Sequence, residues 1–368
     1  MSCTISQKIQ AVADTIHERA IGIPTGFHKL DHHTFGLHPQ ELTLIAGRPS
    51  MGKSSLMTDL VINISVHCPV MVFSLEMPEN LLIERMISNK AEVSLRRLKQ
   101  PGVLTTEEKA KKDRAVLALK TRDIIINDAS ILNPEQMITF VNSFRGLVDK
   151  LYIDKKYPYN TGAILVDYLG LMEAGKYTAN SNEKLDYVIK TLRQLGKDLN
   201  LIVVVLHQLN RKVEDRPDHS PRLSDLRDSG TLEQHADNVI LLHRPAYYKM
   251  KDLGEDVDDD GEAYFLLAKQ RNGATGRIPV VYIPEIMGFR NLGAWCGQPE
   301  DEPLLYQVPE VKLPERVETI EPDTKEETSD DGIVATIDAW NDPNEVIESP
   351  QAEPEIPEID MPDDDIPF

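Results

Sequence analysis

Cysteine is scarce in this chain. Cys3, Cys68 and Cys296 are the only three in 368 residues, widely spaced and odd in number. That excludes a disulfide framework and a thiolate metal cluster, and it fits a reducing, cytoplasmic setting. No stretch of 18 apolar residues occurs, so no segment reads as a membrane-spanning helix and no membrane partner is expected. The N-terminus has no apolar signal-peptide core. A basic excess is missing as well: the formal net charge is −20.

That charge is unevenly distributed. Of the 60 acidic and 40 basic residues, 23 and 3 fall between Glu300 and Phe368, which leaves 37 of each for the rest of the chain. The main body is therefore neutral, and a polyanion-binding surface on it remains allowed wherever its basic residues cluster. The C-terminal stretch carries ten of the 24 prolines and no apolar periodicity. Such a composition cannot bury enough surface to offset ordering entropy, so residues 298–368 are expected to form a disordered, acidic, Pro-rich tail.

Within the body, the run Gly47-Arg48-Pro49-Ser50-Met51-Gly52-Lys53-Ser54 fits the phosphate-loop pattern G-x-x-x-x-G-K-[ST]. Leu42, Leu44, Ile45 and Ala46 form an apolar strand before it, and Leu56, Leu60 and Ile64 recur at helix spacing behind it. A strand feeding a helix through a Gly-rich turn aims backbone N–H groups and the positive helix end at one spot, which suits a polyphosphate. Residues 47–55 are thus the expected nucleotide-binding segment, including Pro49, Ser50, Met51 and Ser55. Lys53 reaches the terminal phosphates in such a loop, and the Ser54 hydroxyl holds Mg²⁺.

Apolar runs at 42–46, 70–74, 124–127, 163–167, 201–206, 238–242, 264–268 and 278–283 alternate with helical stretches. Alternation of this kind predicts an α/β domain with a mainly parallel central sheet. Residues 184–199 place Leu185, Val188, Ile189, Leu192 and Leu195 on one helix face. Residues 5–19 read as a short amphipathic helix, with Ile5, Ile9, Val12 and Ile16 at helical spacing. The acidic run Asp256–Gly261 lacks the Glu of a calcium loop at its twelfth position, which is Leu267, so 249–262 reads as a solvated loop.

Three carboxylate or amide positions follow strands. Asp167 ends the run Ile164-Leu165-Val166, where a carboxylate can orient the Mg²⁺ shell beside a phosphate loop. Glu76 follows Val72-Phe73-Ser74-Leu75, and from spacing alone it is equally a water-polarising base or a helix N-terminal acid. Gln208 follows the strand at 201–206 and is either a sensor of the terminal phosphate or a surface amide.

Taken together with Ser224–Gly230 and Lys269-Gln270-Arg271-Asn272-Gly273, these ordered motifs resemble the motor domain of the DnaB-family replicative helicases, from about Ile5 to about residue 290. The resemblance implies a RecA-like core over 23–297, a linker-type helix at 1–22 packing on a neighbouring subunit, and a homo-hexameric ring that moves along single-stranded DNA with 5′→3′ polarity. It implies that Glu76 is the catalytic glutamate and Gln208 the phosphate sensor. Lys269 and Arg271 become the pair reaching the neighbour's ATP, with Arg271 as the finger. Arg227, Asp228, Ser229 and Gly230 become the loop that grips the DNA backbone. Family members usually carry an N-terminal collar that meets primase, and nothing here precedes the helix at 5–19. Collar function is therefore not expected, and a different route of loading is. A RecA-like ATPase that translocates on DNA without unwinding is the alternative reading, and an assembly hub acting through its tails is a second.

The chain closes on Asp363-Asp364-Asp365-Ile366-Pro367-Phe368, which resembles the C-terminal tip of bacterial single-stranded DNA-binding proteins. Phe368 offers an aromatic plug and a free α-carboxylate, and the acids before it steer encounter with a basic pocket. The expected partners are proteins that read such a tip. Removing Phe368 is expected to abolish that binding in a pull-down against a tip-binding protein, and undiminished capture would overturn the expectation.

Overall fold

The computed structural model describes residues 9, 22–129, 133–167, 181–253 and 260–292, with the side chains at 181, 182, 184, 227–231, 252 and 253 outside the description. The expected helix at 5–19 (save residue 9) and the whole of 298–368, tip included, lie outside the described residues. The chain divides into two units, Met1–Tyr306 and Gln307–Phe368, and only the first contains described residues.

All eight apolar runs are strands: β1 Leu42–Gly47, β2 Val70–Ser74, β3 Ile124–Asn127, β4 Ala163–Asp167, β5 Ile202–Gln208, β6 Asn238–His243, β7 Glu262–Gln270 and β8 Gly276–Ile283. A ninth, β9 Gly288–Asn291, completes one sheet in the order β3-β2-β4-β5-β1-β6-β7-β8-β9. The first six strands in that order are parallel, and β7, β8 and β9 join antiparallel. The parallel strands β1, β2, β4 and β6 are buried along their whole length, as strands covered on both faces must be.

Side-chain alternation along these strands feeds two core layers. Ile45, Val72, Leu165 and Val204 pack with Leu56, Met57, Leu60 and Val61 of α2 (Lys53–Ile64) and with Leu82 and Met86 of α3 (Glu79–Ala91). Leu44, Ala46, Phe73, Val166 and Val205 face the other way. They meet Met137, Val141 and Phe144 of α6 (Pro134–Ile153) and Val188, Ile189 and Leu192 of α7 (Ser181–Asp198). The expected face of 184–199 is therefore the buried one. Helix α1, His28–Thr34, precedes β1, and α4 Leu95–Leu98 and α5 Thr106–Lys120 stand between α3 and β3. Capping boxes start α5 at Thr105 with Glu108, and α6 at Asn133 with Gln136.

After β5 the chain forms a short α8, Gly230–His235, then α9, Pro245–Leu253. The second of these corrects the expected loop over 249–262. Its first part is helix, because Pro245 starts a turn whose Ala246 and Tyr248 are buried. Residues 254–259 lie outside the described residues.

Strand β9 is clasped to α1. Asn291 accepts a hydrogen bond from His28 N–H at 3.0 Å and donates to Gly26 O at 2.9 Å. Next to it, Asp59 of α2 accepts from Phe289 N–H and from the Asn89 amide, both at 2.8 Å, with Arg290 at 3.5 Å. Burial pushes its carboxyl up to about 7, against the lowering effect of those hydrogen bonds and of Arg290. The native state then holds a proton that the unfolded chain releases above its ordinary carboxylate range. This group's contribution to stability accordingly falls as pH rises from about 4 to about 7. The advantage in melting temperature of wild type over Asp59→Asn is expected to shrink between about pH 5 and about pH 8, and a gap that widens would overturn this assignment.

Candidate active site

Parallel pairing brings the C-terminal ends of β1, β2, β4 and β5 to one edge of the sheet. The register pairs Gly47 with Gln208 and Ser74 with Asp167. The phosphate-loop residues Gly47–Ser54, Glu76, Asp167 and Gln208 therefore gather there without any long-range coincidence in the sequence. Open α/β sheets hold ligands in this position, beyond the carboxyl ends of their strands.

The loop is held in one shape. Gly52 takes φ +90°, and a Cβ on it would lie 2.8 Å from the Phe289 ring of β9. Ser50 also has a positive φ of 64°, and its carbonyl accepts from Arg244 at 2.9 Å. Arg244 lies over the Tyr282 ring, 3.8 Å from its centroid. Met51 is buried, which anchors the centre of the loop in the core. Arg48 is buried too. Its guanidinium donates to Leu209 O at 2.8 Å and to Glu214 at 2.9 Å, so what it presents to a ligand is its backbone. Glu214 is held below the usual carboxylate range chiefly by that hydrogen bond.

Inside the loop, Lys53 Nζ donates to Gly47 O at 3.0 Å and Arg48 O at 3.1 Å. Burial lowers its pKa, opposed by the charges of Asp167 and Glu76. Ser54 Oγ donates to Asp167 Oδ2 at 2.7 Å. Asp167 is 1% exposed, and its Oδ1 has no hydrogen-bond partner among the described residues. Burial raises its carboxyl, against the Ser54 hydrogen bond. A buried carboxylate oxygen without a donor, beside a hydroxyl, fits the protein share of a Mg²⁺ shell, which otherwise uses water and phosphate oxygens. No group of three or more His, Cys, Asp or Glu that could hold a metal occurs among the described residues. Ser55 is buried at the start of α2, its hydroxyl 3.5 Å from Tyr282 Oη. Glu76 is exposed at the mouth of this cluster. His207 is pushed down to about 4 by burial and then by Lys53, which leaves it neutral at pH 7.

One residue of this cluster escaped the sequence reading. Arg85 sits on α3 among the buried Leu82, Met86 and Asn89, and its Nε is buried without a partner among the described residues. Burial lowers its pKa, and Tyr282, Asp167 and Glu76 oppose that in turn. The signal was present, a cation at a position where the helix period calls for an apolar side chain.

Lys269 and Arg271 lie elsewhere. The antiparallel pairing of β6 with β7 sets Gln270 opposite Asn238, at the beginning of β6. Asn238 pairs with Thr43, so this level is four residues, about 13 Å along the strands, from Gly47. Here Lys269 Nζ donates to Glu233 O and Ala236 O, and Arg271 donates to Gln234 O at 2.8 Å and pairs with Asp237 at 3.1 Å. Arg227, Asp228 and Ser229 occupy the end of a 3-10 segment, Leu223–Ser229, and Gly230 begins α8. Their side chains are outside the description. The segment is tied to the chain just after β5 by a hydrogen bond from Asn210 N–H to Asp225 O at 3.2 Å.

Residues 22–291 match the sequence profile of the DnaB-like helicase C terminal domain. The chain belongs to this family. Among curated relatives of this DnaB-like chain, the replicative DNA helicase DnaB of Buchnera aphidicola subsp. Schizaphis graminum is 35% identical over 283 residues, which is 76% of this chain and 57% of the relative. That of Haemophilus influenzae is 34% identical over 279 residues, 75% and 56% respectively. The chain thus spans less than six-tenths of the length of these relatives. Of solved structures, one ATPase domain superposes with TM-score 0.70 at 28% identity, covering 79% of this chain and all of that one. A DnaB-like replicative helicase, described with its interactions with primase, gives 0.68 at 28% identity over 79% of this chain and 68% of that one.

Because Gly52 combines a left-handed backbone with an aromatic ring at contact distance, Gly52→Ala is expected to cost about 1–3 kcal/mol of stability and to abolish nucleoside triphosphate binding. Chemical denaturation and titration with a fluorescent ATP analogue test this, and unaltered affinity would overturn it.

Proposed function

We propose that this chain is the motor of an ATP-dependent replicative DNA helicase. It would work as a homo-hexameric ring on single-stranded DNA, unwinding duplex at a fork with 5′→3′ polarity. The observation that carries the reading is the separation of the two halves of the site. The phosphate loop, Asp167, Glu76 and Gln208 lie at one edge of the sheet, while Lys269 and Arg271 are held at the other by Gln234 O, Ala236 O and Asp237. Within one chain these cannot meet. Subunits stacked in a ring bring the Lys269–Arg271 edge of one against the phosphate loop of the next.

In such a site the loop N–H groups and Lys53 bind the phosphates of ATP. Ser54 and Asp167 would hold Mg²⁺, which when bound neutralises charge on the phosphate oxygens. Glu76 orients the attacking water, and Arg271 of the adjoining subunit stabilises the charge of the transition state. Gln208, opposite Gly47, senses the terminal phosphate. In this reading the signal would pass to the proposed DNA grip in two steps: Gln208 is two residues from Asn210, whose N–H donates to Asp225 O, and Asp225 precedes Arg227–Gly230. Arg with Ser and Gly backbone N–H groups suits phosphate contacts that do not read sequence. Primase or a loader, and proteins that bind the tip at 363–368, are the further partners proposed, with the cytoplasm as the place of action.

ATP hydrolysis is expected to rise strongly on adding single-stranded DNA, and Arg271→Ala is expected to remove about 10³-fold or more of that rate. A rate indifferent to DNA, or an unaffected Arg271→Ala variant, would overturn the shared-site motor. Strand displacement from a forked duplex separates unwinding from translocation alone.

A further inference from the structure

Asp237 stands just before β6 and is 6% exposed. Its Oδ2 accepts from Leu42 N–H at 2.9 Å and from Arg193 Nη1 at 3.0 Å, and its Oδ1 accepts from Arg193 Nη2 at 3.0 Å. A bidentate Arg and a backbone amide already satisfy a buried carboxylate and fix its rotamer. A second guanidinium is present nonetheless. Arg271 Nη1 reaches Oδ1 at 3.1 Å, and the backbone repeats the tie, with Arg271 N–H donating to Asp237 O at 3.0 Å. The carboxylate does not need Arg271. The contact instead serves Arg271, whose side chain is 44% exposed and would otherwise sample many rotamers.

We propose that Asp237 is a positioning residue for the trans-acting arginine, holding one edge of the Arg271 guanidinium so that its other donors face outward to the ATP of the adjoining subunit. This rests on the shared-site reading above. Gln234 O, at 2.8 Å, fixes a second point of the fork, and Lys269 is set beside it on Glu233 O and Ala236 O. Two guanidinium groups share one carboxylate, so a full positive charge remains for a phosphate. Arg193 is the brace: it carries the charge balance of the buried Asp237 and leaves Arg271 to its partner. A finger ordered before the neighbour arrives does not have to be ordered in the transition state, which is where orientation counts.

The test uses the full chain. Asp237→Asn keeps an oxygen for Leu42 N–H and loses the charge and the second acceptor. It is expected to lower kcat for DNA-stimulated ATP hydrolysis by about 10- to 100-fold with little change in KM for ATP. Co-expression with Glu76→Gln subunits then separates positioning from damage. Each Glu76→Gln subunit lacks its own hydrolysis but lends a correctly held Arg271, so mixed assemblies are expected to hydrolyse ATP well above either parent alone. In an Arg271→Ala background, adding Asp237→Asn is expected to lower kcat no further.

Wild-type kcat in Asp237→Asn would overturn the proposal. So would failure of its mixture to recover while an Arg271→Ala and Glu76→Gln mixture does. If that second mixture also fails, the shared-site reading is what falls. Should Asp237→Asn not fold, Asp237→Glu carries the test. It keeps the charge and displaces the oxygens by one methylene, so the same loss and the same recovery on mixing are expected, and a wild-type kcat would again overturn the proposal.

Discussion

A strand that is buried on both faces and paired on both edges has no freedom left in its backbone, and β1 is such a strand. Its N–H and C=O groups are taken by β5 on one side and β6 on the other. An unmatched group at that depth would cost about 1–3 kcal/mol. Register is therefore fixed, and with it the neighbours of the phosphate loop. Gln208 must stand beside Gly47, and Asp237 must stand at the other end, where its own N–H and carboxylate bind Leu42. The chemistry at both edges follows from one set of ladder hydrogen bonds.

The direction of chain flow then sorts the charged residues. Parallel strands all end at the same edge and bring Asp167, Glu76 and Gln208 to the loop, whereas β7 runs backwards and returns Lys269 and Arg271 to the start of β6. Burial acts on what has been gathered. It lowers Lys53 and raises Asp167, each offset by the charge of the other. The cations at the far edge are handled differently. Lys269, Arg271 and Arg193 donate to the last carbonyls around α8, at Glu233, Gln234, His235 and Ala236, where positive charge is favoured at a helix C-terminus.

Much of this was legible beforehand because buried parallel strands are written as continuous apolar runs, and eight of nine were found that way. The ninth, Gly288–Asn291, is short and half polar, and only its pairing with β8 makes it a strand. The helix over 245–253 was obscured by the acidic run that follows it. The phosphate loop was readable in full as a motif, but not the fate of its Arg48, which depends on Glu214 more than 160 residues away. Asp237 escaped for a similar reason. Nothing local distinguishes it from any acid before a strand, and its meaning lies in partners from α7, β1 and the end of β7. Arg85 could have been found from helix period alone.

The clasp between Asn291 and the Gly26–His28 turn joins the two ends of the described domain across 265 positions. Contacts of such separation close late, because the intervening loop must be ordered first. During synthesis, chain growth runs at about 5–20 residues per second, so the early strands wait many seconds for their last neighbour. Phe289, the ring that covers Gly52, arrives with that final strand. The loop built from the first fifth of the sequence thus acquires its finished walls only when nearly the last residue of the domain has left the ribosome, and a nascent chain halted earlier would present an unfinished phosphate loop.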